Sequence, residues 1–259
     1  MTDPLAAIAR TPRLLVALDF DGTLSPLVDE PMTARMAPEA RTAVAALLAT
    51  PATSVSFVSG RTLEHLRVIA EHDDTSAVLL AGSHGAEYWT PRSVRAPKTT
   101  GTADADALAL RDALRAEAES AIADIEGAWV EAKEFGFGVH SRLVDPAQAD
   151  QVHGRVDRLV AARAPGWRRR VGHNITEFSF RAEGKDTAVR LLREATEATG
   201  VLFAGDDVTD EDAIAALGPE DVGVKVGAGP TAAQIRVDDI AGLAALLLSL
   251  AHLRDADRE

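Results

Sequence analysis

Residues 13–24 read RLLVALDFDGTL. The first seven form a short apolar run ending in acid, which fits a fully buried strand that feeds a loop. Two carboxylates, Asp19 and Asp21, then stand two apart on a turning segment. Gly22 lets the backbone turn sharply and approach a ligand. In open parallel sheets, ligands bind beyond the carboxyl ends of the strands, and this is such a place. Carboxylates so placed can share one Mg²⁺, which prefers oxygen ligands. The competing reading is an acidic Asx-type turn that merely ends a strand.

Outward from this stretch, strands and helices alternate. Residues 38–49 have helical composition with Pro in the first turn. Residues 53–58 (TSVSFV) are β-branched and predict a strand, 61–71 a helix and 77–80 a third strand. That rhythm implies βαβ units and a parallel sheet covered on both faces. The middle of the chain differs. It predicts an Ala-rich helix at 104–126, a Gly- and aromatic-rich hairpin at 129–142, a helix at 146–163 and two strands within 167–180. After Lys185 the α/β rhythm returns, with a helix to 198, a strand at 200–204, a helix from 210 and a strand at 222–226. The expected fold is therefore α/β. A Rossmann-like core of residues 1–97 and 185–259 is interrupted by an inserted α+β domain (αββαββ) at 98–184, with 99–107 as the linker. The apolar stretch at 240–253 is too short to span a bilayer and reads as a packed helix.

Composition narrows the function. At 259 residues the chain is one large domain or two modest ones. It has no cysteine, which excludes disulfides, thiolate catalysis and zinc–sulfur sites. A net charge of -13 argues against nucleic-acid and anionic-membrane partners. The first residues lack a basic segment followed by an apolar core, so a cytoplasmic monomer acting on a small molecule is expected. Asn174-Ile175-Thr176 matches a glycosylation sequon and carries no weight without a secretory signal.

Three further segments carry chemistry. Residues 205–212 (GDDVTDED) put an acid cluster at another strand end. Asp206, directly after the strand, is the better metal ligand. Thr209 or Asp210 suits a helix cap, and Glu211 and Asp212 suit the positive end of the helix dipole. Ser59, in 58–61 (VSGR), offers a hydroxyl to a phosphate oxygen, although Ser also commonly caps helices. Gly184-Lys185 is not a Walker A loop, because Ser179 stands where Gly is needed and Asp186 where Ser or Thr is needed.

In this order the four segments resemble the haloacid dehalogenase superfamily of phosphatases, whose pattern is DxD-G-T, Ser/Thr, Lys and an acidic motif. The resemblance implies a haloacid dehalogenase-like core with an inserted cap. It makes Asp19 the nucleophile, forming an aspartyl-phosphate, and Asp21 the acid and base. Mg²⁺ would lie on the Asp19 carboxylate, the Asp21 backbone carbonyl and Asp206. Ser59 and Lys185 would hold phosphoryl oxygens, with Asp207 and Asp210 orienting the metal's surroundings and Lys185. Gly22, Thr23, Arg61 and His84 are the implied core contacts with substrate.

A narrower resemblance is to the trehalose-6-phosphate phosphatases. It rests on GDDVTDEDA at 205–213, AGSHGAE at 81–87, Glu131-x-Lys133, His140-x-Arg142, and Gly172-x-x-Ile175-x-Glu177. It implies trehalose 6-phosphate as substrate, with Glu131, Lys133 and Glu177 on glucose hydroxyls and His140 and Arg142 nearby. The alternative for the cap residues is an exposed cross-strand ion pair, a merely packed His140, and a solvated strand at Arg168-Arg169-Arg170. The chain departs from the family's usual pattern at His173, Ser141, Ser179-Phe180 and Asp186. These departures keep open a phosphatase for another glycosyl or pseudo-disaccharide phosphate. A phospho-acceptor signalling module and a binding protein without catalysis are more distant readings.

Overall fold

The computed structural model describes residues 3–97, 105–172, 174–181 and 184–256. The chain forms two compact units, residues 1–98 with 183–259, and residues 99–182. Residues 99–104 of the expected linker lie outside the described residues, and from Ala105 onward the chain is helical.

The first unit is built on a seven-stranded sheet. Its strands are β1 (Leu14–Leu18), β2 (Thr53–Val58), β3 (Leu79–Gly82), β4 (Glu87–Trp89), and, after the second unit, β9 (Gly200–Gly205), β10 (Val222–Val226) and β11 (Ile235–Val237). The order is β11-β10-β9-β1-β2-β3-β4, parallel except for β4, which runs antiparallel to β3. Central β1 is buried along all five residues, as its continuous apolar run requires. One face of the sheet packs on α1 (Pro4–Ala9), α2 (Pro38–Ala49), α3 (Leu63–Ile69) and α8 (Ile240–Ala256) through Val16, Leu47, Leu66 and Leu247. The other packs on α6 (Lys185–Thr196) and α7 (Val208–Ala215) through Leu15, Phe203, Leu192 and Ile214. Arg254 in the last turn of α8 donates to the carbonyls of Ala9, Thr11 and Ala52 at 2.8, 2.9 and 3.1 Å, tying the chain's two ends together. Among the described residues no helix is long and apolar enough to cross a membrane.

The second unit is an antiparallel sheet of β5 (Trp129–Lys133), β6 (Gly136–His140), β7 (Arg168–Gly172) and β8 (Ile175–Ser179), in the order β5-β6-β8-β7. Helices α4 (Ala105–Ile122) and α5 (Pro146–Arg163) cover one face through Leu114, Val152, Phe137, Val139 and Phe178. Strand alternation then puts Glu131, Lys133, Gly136, Gly138, His140 and Glu177 on the other face.

Several expectations need correction. The strand expected at 77–80 begins at Leu79 and runs to Gly82, and the helix expected at 104–126 stops at Ile122. Helix α7 begins at Val208 rather than 210. Its cap is Asp207, whose side chain accepts the Val208 N–H, not Thr209 or Asp210. The helix after Ser59 begins at Leu63, capped by Thr62 through the His65 N–H, so Ser59 is not its cap. The arginine strand is not simply solvated: Arg170 is buried, and Arg169 makes a two-pronged pair with Asp157 of α5.

Candidate active site

The carboxyl ends of β1, β2 and β9 gather the charged groups of the first unit. Asp19 follows β1 directly, is buried, and donates its N–H to the Ala204 carbonyl of β9 at 2.9 Å. The chain then turns back, with the Gly22 N–H on the Ser25 carbonyl at 2.7 Å. Gly22 has φ +83°, and a Cβ there would lie 2.1 Å from Asp206 Oδ2. Both its conformation and its closeness to Asp206 exclude a larger residue. Thr23 donates its hydroxyl to Asp206 Oδ1 at 3.1 Å.

Lys185 opens α6 and is 4% exposed. Its Nζ lies 2.6 Å from Asp19 Oδ1 and 2.6 Å from Asp210 Oδ1. Asp210 is fully buried, and its Oδ2 accepts the Asp207 N–H at 3.0 Å. One carboxylate thus closes the capping box of α7 and holds the lysine. Carboxylate oxygens of Asp19, Asp206 and Asp210 all lie within 4.8 Å of one another. The Asp21 side chain lies outside this group, and Asp210, expected only to orient the surroundings, lies in it.

The electrostatics show a shortage of positive charge. Burial pushes Asp19 well above the usual carboxylate range; Lys185 opposes this, while Asp210 and Asp206 add to it. Asp206 is pushed up to about 6, by burial first and then by the Asp210 charge. Burial acts to lower Lys185, but Asp19 and Asp210 overcome it and raise it, so the ammonium stays charged. Three carboxylates share one lysine, in an all-oxygen donor set, and this cluster could hold a hard divalent cation. Because Asp206 keeps a proton below about pH 6, a cation must displace it there. Mg²⁺ affinity measured by calorimetry is therefore expected to fall, by up to about tenfold per unit, as pH drops below that point. Equal affinity at pH 5 and pH 7.5 would remove Asp206 from the ligand set.

Ser59 is buried after β2, donates its N–H to the Ala81 carbonyl at 2.9 Å, and accepts the Arg61 N–H on its hydroxyl at 3.2 Å. Arg61 grips Asp21 with two prongs, Nε to Oδ2 at 2.6 Å and Nη2 to Oδ1 at 2.7 Å. Expected on substrate, Arg61 here aims the Asp21 carboxylate. His84 sits in a left-handed conformation at φ 55°, with its N–H on the Ser59 carbonyl at 2.9 Å. Its ring lies so close to Gly60 that a Cβ there would be 2.7 Å from Nε2. The loops after β2 and β3 thus interlock behind Ser59.

The second unit gathers its own polar cluster. Lys133 pairs with Glu177 across the sheet and lies 3.8 Å from Glu131. His140 Nε2 meets Glu131 Oε2 at 2.9 Å, and the His140 ring stacks on Trp129, 4.3 Å apart and 4° from parallel. The Glu177 and Lys133 side chains are only 12% and 17% exposed, so their pair is not an exposed one, whereas the Glu131 side chain is 40% exposed. Burial pushes Glu131 up, but the His140 hydrogen bond and Lys133 charge outweigh it and leave its pKa lowered. Gly136 and Gly138 of β6 share this face and add no side chain to it, so Lys133 of β5 reaches across β6 to Glu177 of β8. Arg142 lies half-buried in the turn after β6. Two departures have local work: the Ser179 hydroxyl donates to the Phe135 carbonyl at 3.2 Å, and the Ser141 hydroxyl meets His153 Nε2 at 2.9 Å. His173 lies outside the described residues.

One participant escaped the sequence reading. Lys225 of β10 donates to the Asp206 carbonyl at 2.6 Å and faces Glu211 Oε1 at 3.6 Å. Glu211, expected to serve only the helix dipole, therefore also balances a buried lysine and accepts the Ala232 N–H at 3.1 Å. The available signal was a lysine inside the apolar run VGVKV.

The trehalose-phosphatase family model matches residues 17–240. The chain is 34% identical over 238 residues to an uncharacterized glycosyl hydrolase of Mycobacterium tuberculosis, covering 86% of this chain and 17% of that protein. It is 31% identical over 239 residues to a trehalose-phosphate phosphatase of Mycobacterium marinum, covering 87% of this chain and 58% of that one. The chain thus spans less than two thirds of either relative. The C-terminal domain of the Candida albicans trehalose-6-phosphate phosphatase shares the fold, with a TM-score of 0.81, 19% identity, and 96% and 95% of the two chains covered. With the model matching most of its length, the chain belongs to the trehalose-phosphatase family, a family of phosphoric monoester hydrolases.

Proposed function

We propose that this protein is a Mg²⁺-dependent phosphatase that releases trehalose and phosphate from trehalose 6-phosphate. The observation that carries the reading is the cluster of buried Asp19 and Asp210 and half-buried Asp206 around Lys185, at the carboxyl ends of adjacent parallel strands. Asp19 attacks phosphorus through a carboxylate oxygen, and the bond from phosphorus to the sugar's 6-oxygen breaks. Asp21, aimed by Arg61, gives a proton to that oxygen. It then takes one from the water that hydrolyses the aspartyl-phosphate. Lys185 and Ser59 hold the transferring phosphoryl oxygens, and Lys185 stays charged throughout. Asp19 and Asp206, with the Asp21 backbone carbonyl, would hold Mg²⁺, and Asp210 keeps Lys185 in place. When bound, the cation offsets repulsion between the acids and a phosphate dianion.

The inserted unit, residues 98–184, reads as a cap that tests the sugar. Glu131, Lys133 and Glu177 would bind glucose hydroxyls, with His140 fixing Glu131 and Arg142 close by. Gly22, Thr23, Arg61 and His84 would shape the phosphate end, Thr23 and Arg61 by holding Asp206 and Asp21. A monomer in the cytoplasm, without nucleic-acid or membrane partners, completes the proposal, and the -13 net charge supports the absence of nucleic acid and anionic membranes among its partners. The test is product analysis: trehalose 6-phosphate with Mg²⁺ should yield trehalose and phosphate in equal amounts, and EDTA should stop both. Phosphate release unaffected by EDTA would overturn the metal-dependent mechanism.

A further inference from the structure

Lys225 belongs to a strand buried along its whole length, and is itself 4% exposed. The register pairs it with Gly205, the last residue of β9, so its side chain leaves the sheet beside the start of the acidic segment. Gly223, two residues earlier on the same face, lies against Ile214 of α7. Lys225 therefore occupies the space beneath the first turn of α7. Its ammonium reaches the Asp206 carbonyl at 2.6 Å and Glu211 Oε1 at 3.6 Å, and Glu211 is anchored in turn by the Ala232 N–H. An ammonium this deeply buried is costly unless paired and hydrogen-bonded, and both conditions are met here.

We propose that Lys225 is a positioning residue: it tethers the Asp206 peptide and thereby sets the affinity of the acidic cluster for Mg²⁺. The inference rests on the metal assignment of the proposed function. Asp206 is held from three sides. Thr23 binds its carboxylate, Gly22 leaves room for nothing but hydrogen against it, and Lys225 holds its carbonyl. Two roles for the lysine predict opposite signs. As a bare positive charge near the site it repels the cation, and its removal tightens binding. As a tether it keeps the Asp206 carboxylate facing Asp19, and its removal weakens binding. The tether dominates, because Glu211 offsets the ammonium's charge locally while the short bond to the carbonyl is directional.

The test is Mg²⁺ binding to the full chain by calorimetry at pH 7.5, without substrate. Lys225→Met and Lys225→Gln are expected to bind Mg²⁺ about 10- to 100-fold more weakly than the wild type. Lys225→Arg, which keeps the donor and the charge, should recover most of that loss. In turnover assays the neutral variants should need correspondingly more Mg²⁺ for half-maximal rate. Neutral variants that bind Mg²⁺ as tightly as the wild type, or more tightly, would overturn the tether. If Lys225→Met does not fold, Lys225→Gln decides alone. A wild type that binds no Mg²⁺ would overturn the metal assignment and this inference with it, an outcome distinct from unchanged affinity in the variants.

Discussion

Asp19→Asn is expected to lower phosphate release by at least about 10⁴-fold while leaving the circular dichroism spectrum unchanged. The substitution replaces one carboxylate oxygen with an amide nitrogen and keeps the shape. The remaining amide oxygen can still accept from Lys185, which also keeps Asp210 at 2.6 Å. What is lost is an anionic oxygen able to attack phosphorus, and the amide oxygen cannot replace it. Asp19 is buried, its Oδ1 lies on Lys185, and its carboxylate comes within 4.8 Å of those of Asp206 and Asp210. Turnover within tenfold of the wild type would remove Asp19 from the nucleophile's role.

The second large effect concerns the inserted unit. Glu177→Gln is expected to lower kcat/KM for trehalose 6-phosphate by about 10- to 100-fold, the usual worth of a charged hydrogen bond to substrate. Hydrolysis of p-nitrophenyl phosphate, which carries no sugar, should change by less than about threefold on the same grounds. The split separates sugar recognition from phosphoryl transfer. Glu177 belongs to an interlocked cluster, since Lys133 bridges it and Glu131, and His140 holds Glu131. Gln keeps the size and one acceptor, so the sheet is expected to stay folded. An equal loss on both substrates would show that Glu177 supports the unit's fold rather than the sugar.

The core's architecture was legible because its strands are buried along their length and its charges sit at their ends. The run RLLVALD predicts β1 to within a residue, and helix α2 and strands β2 and β10 fall where composition put them. Short elements escaped. Strands β4 and β11 are three residues each, too short for any periodicity, and α1 is a six-residue helix. The cap of α7 was misread because Asp207, Thr209 and Asp210 are all chemically able to cap, and only the backbone turn at Asp207 decides among them. The pairing of Arg61 with Asp21 crosses from β2 to β1, so no local pattern contains it. Lys225 was hidden for the opposite reason: its neighbours made the strand evident and left the lysine looking incidental. On the inserted unit, the face shared by Glu131 and Lys133 followed from strand alternation, but the bridge to Glu177 depended on the order β5-β6-β8.

The most direct test of the central claim is a comparison of kcat/KM for trehalose 6-phosphate, sucrose 6-phosphate and glucose 6-phosphate at saturating Mg²⁺. If Glu131, Lys133 and Glu177 bind glucose hydroxyls as proposed, trehalose 6-phosphate should be favoured by at least about 100-fold, because buried polar groups left unpaired by a wrong sugar are costly. Equal or faster turnover of either of the other two would contradict the assignment of Glu131, Lys133 and Glu177 to trehalose, while leaving the chemistry at Asp19 standing.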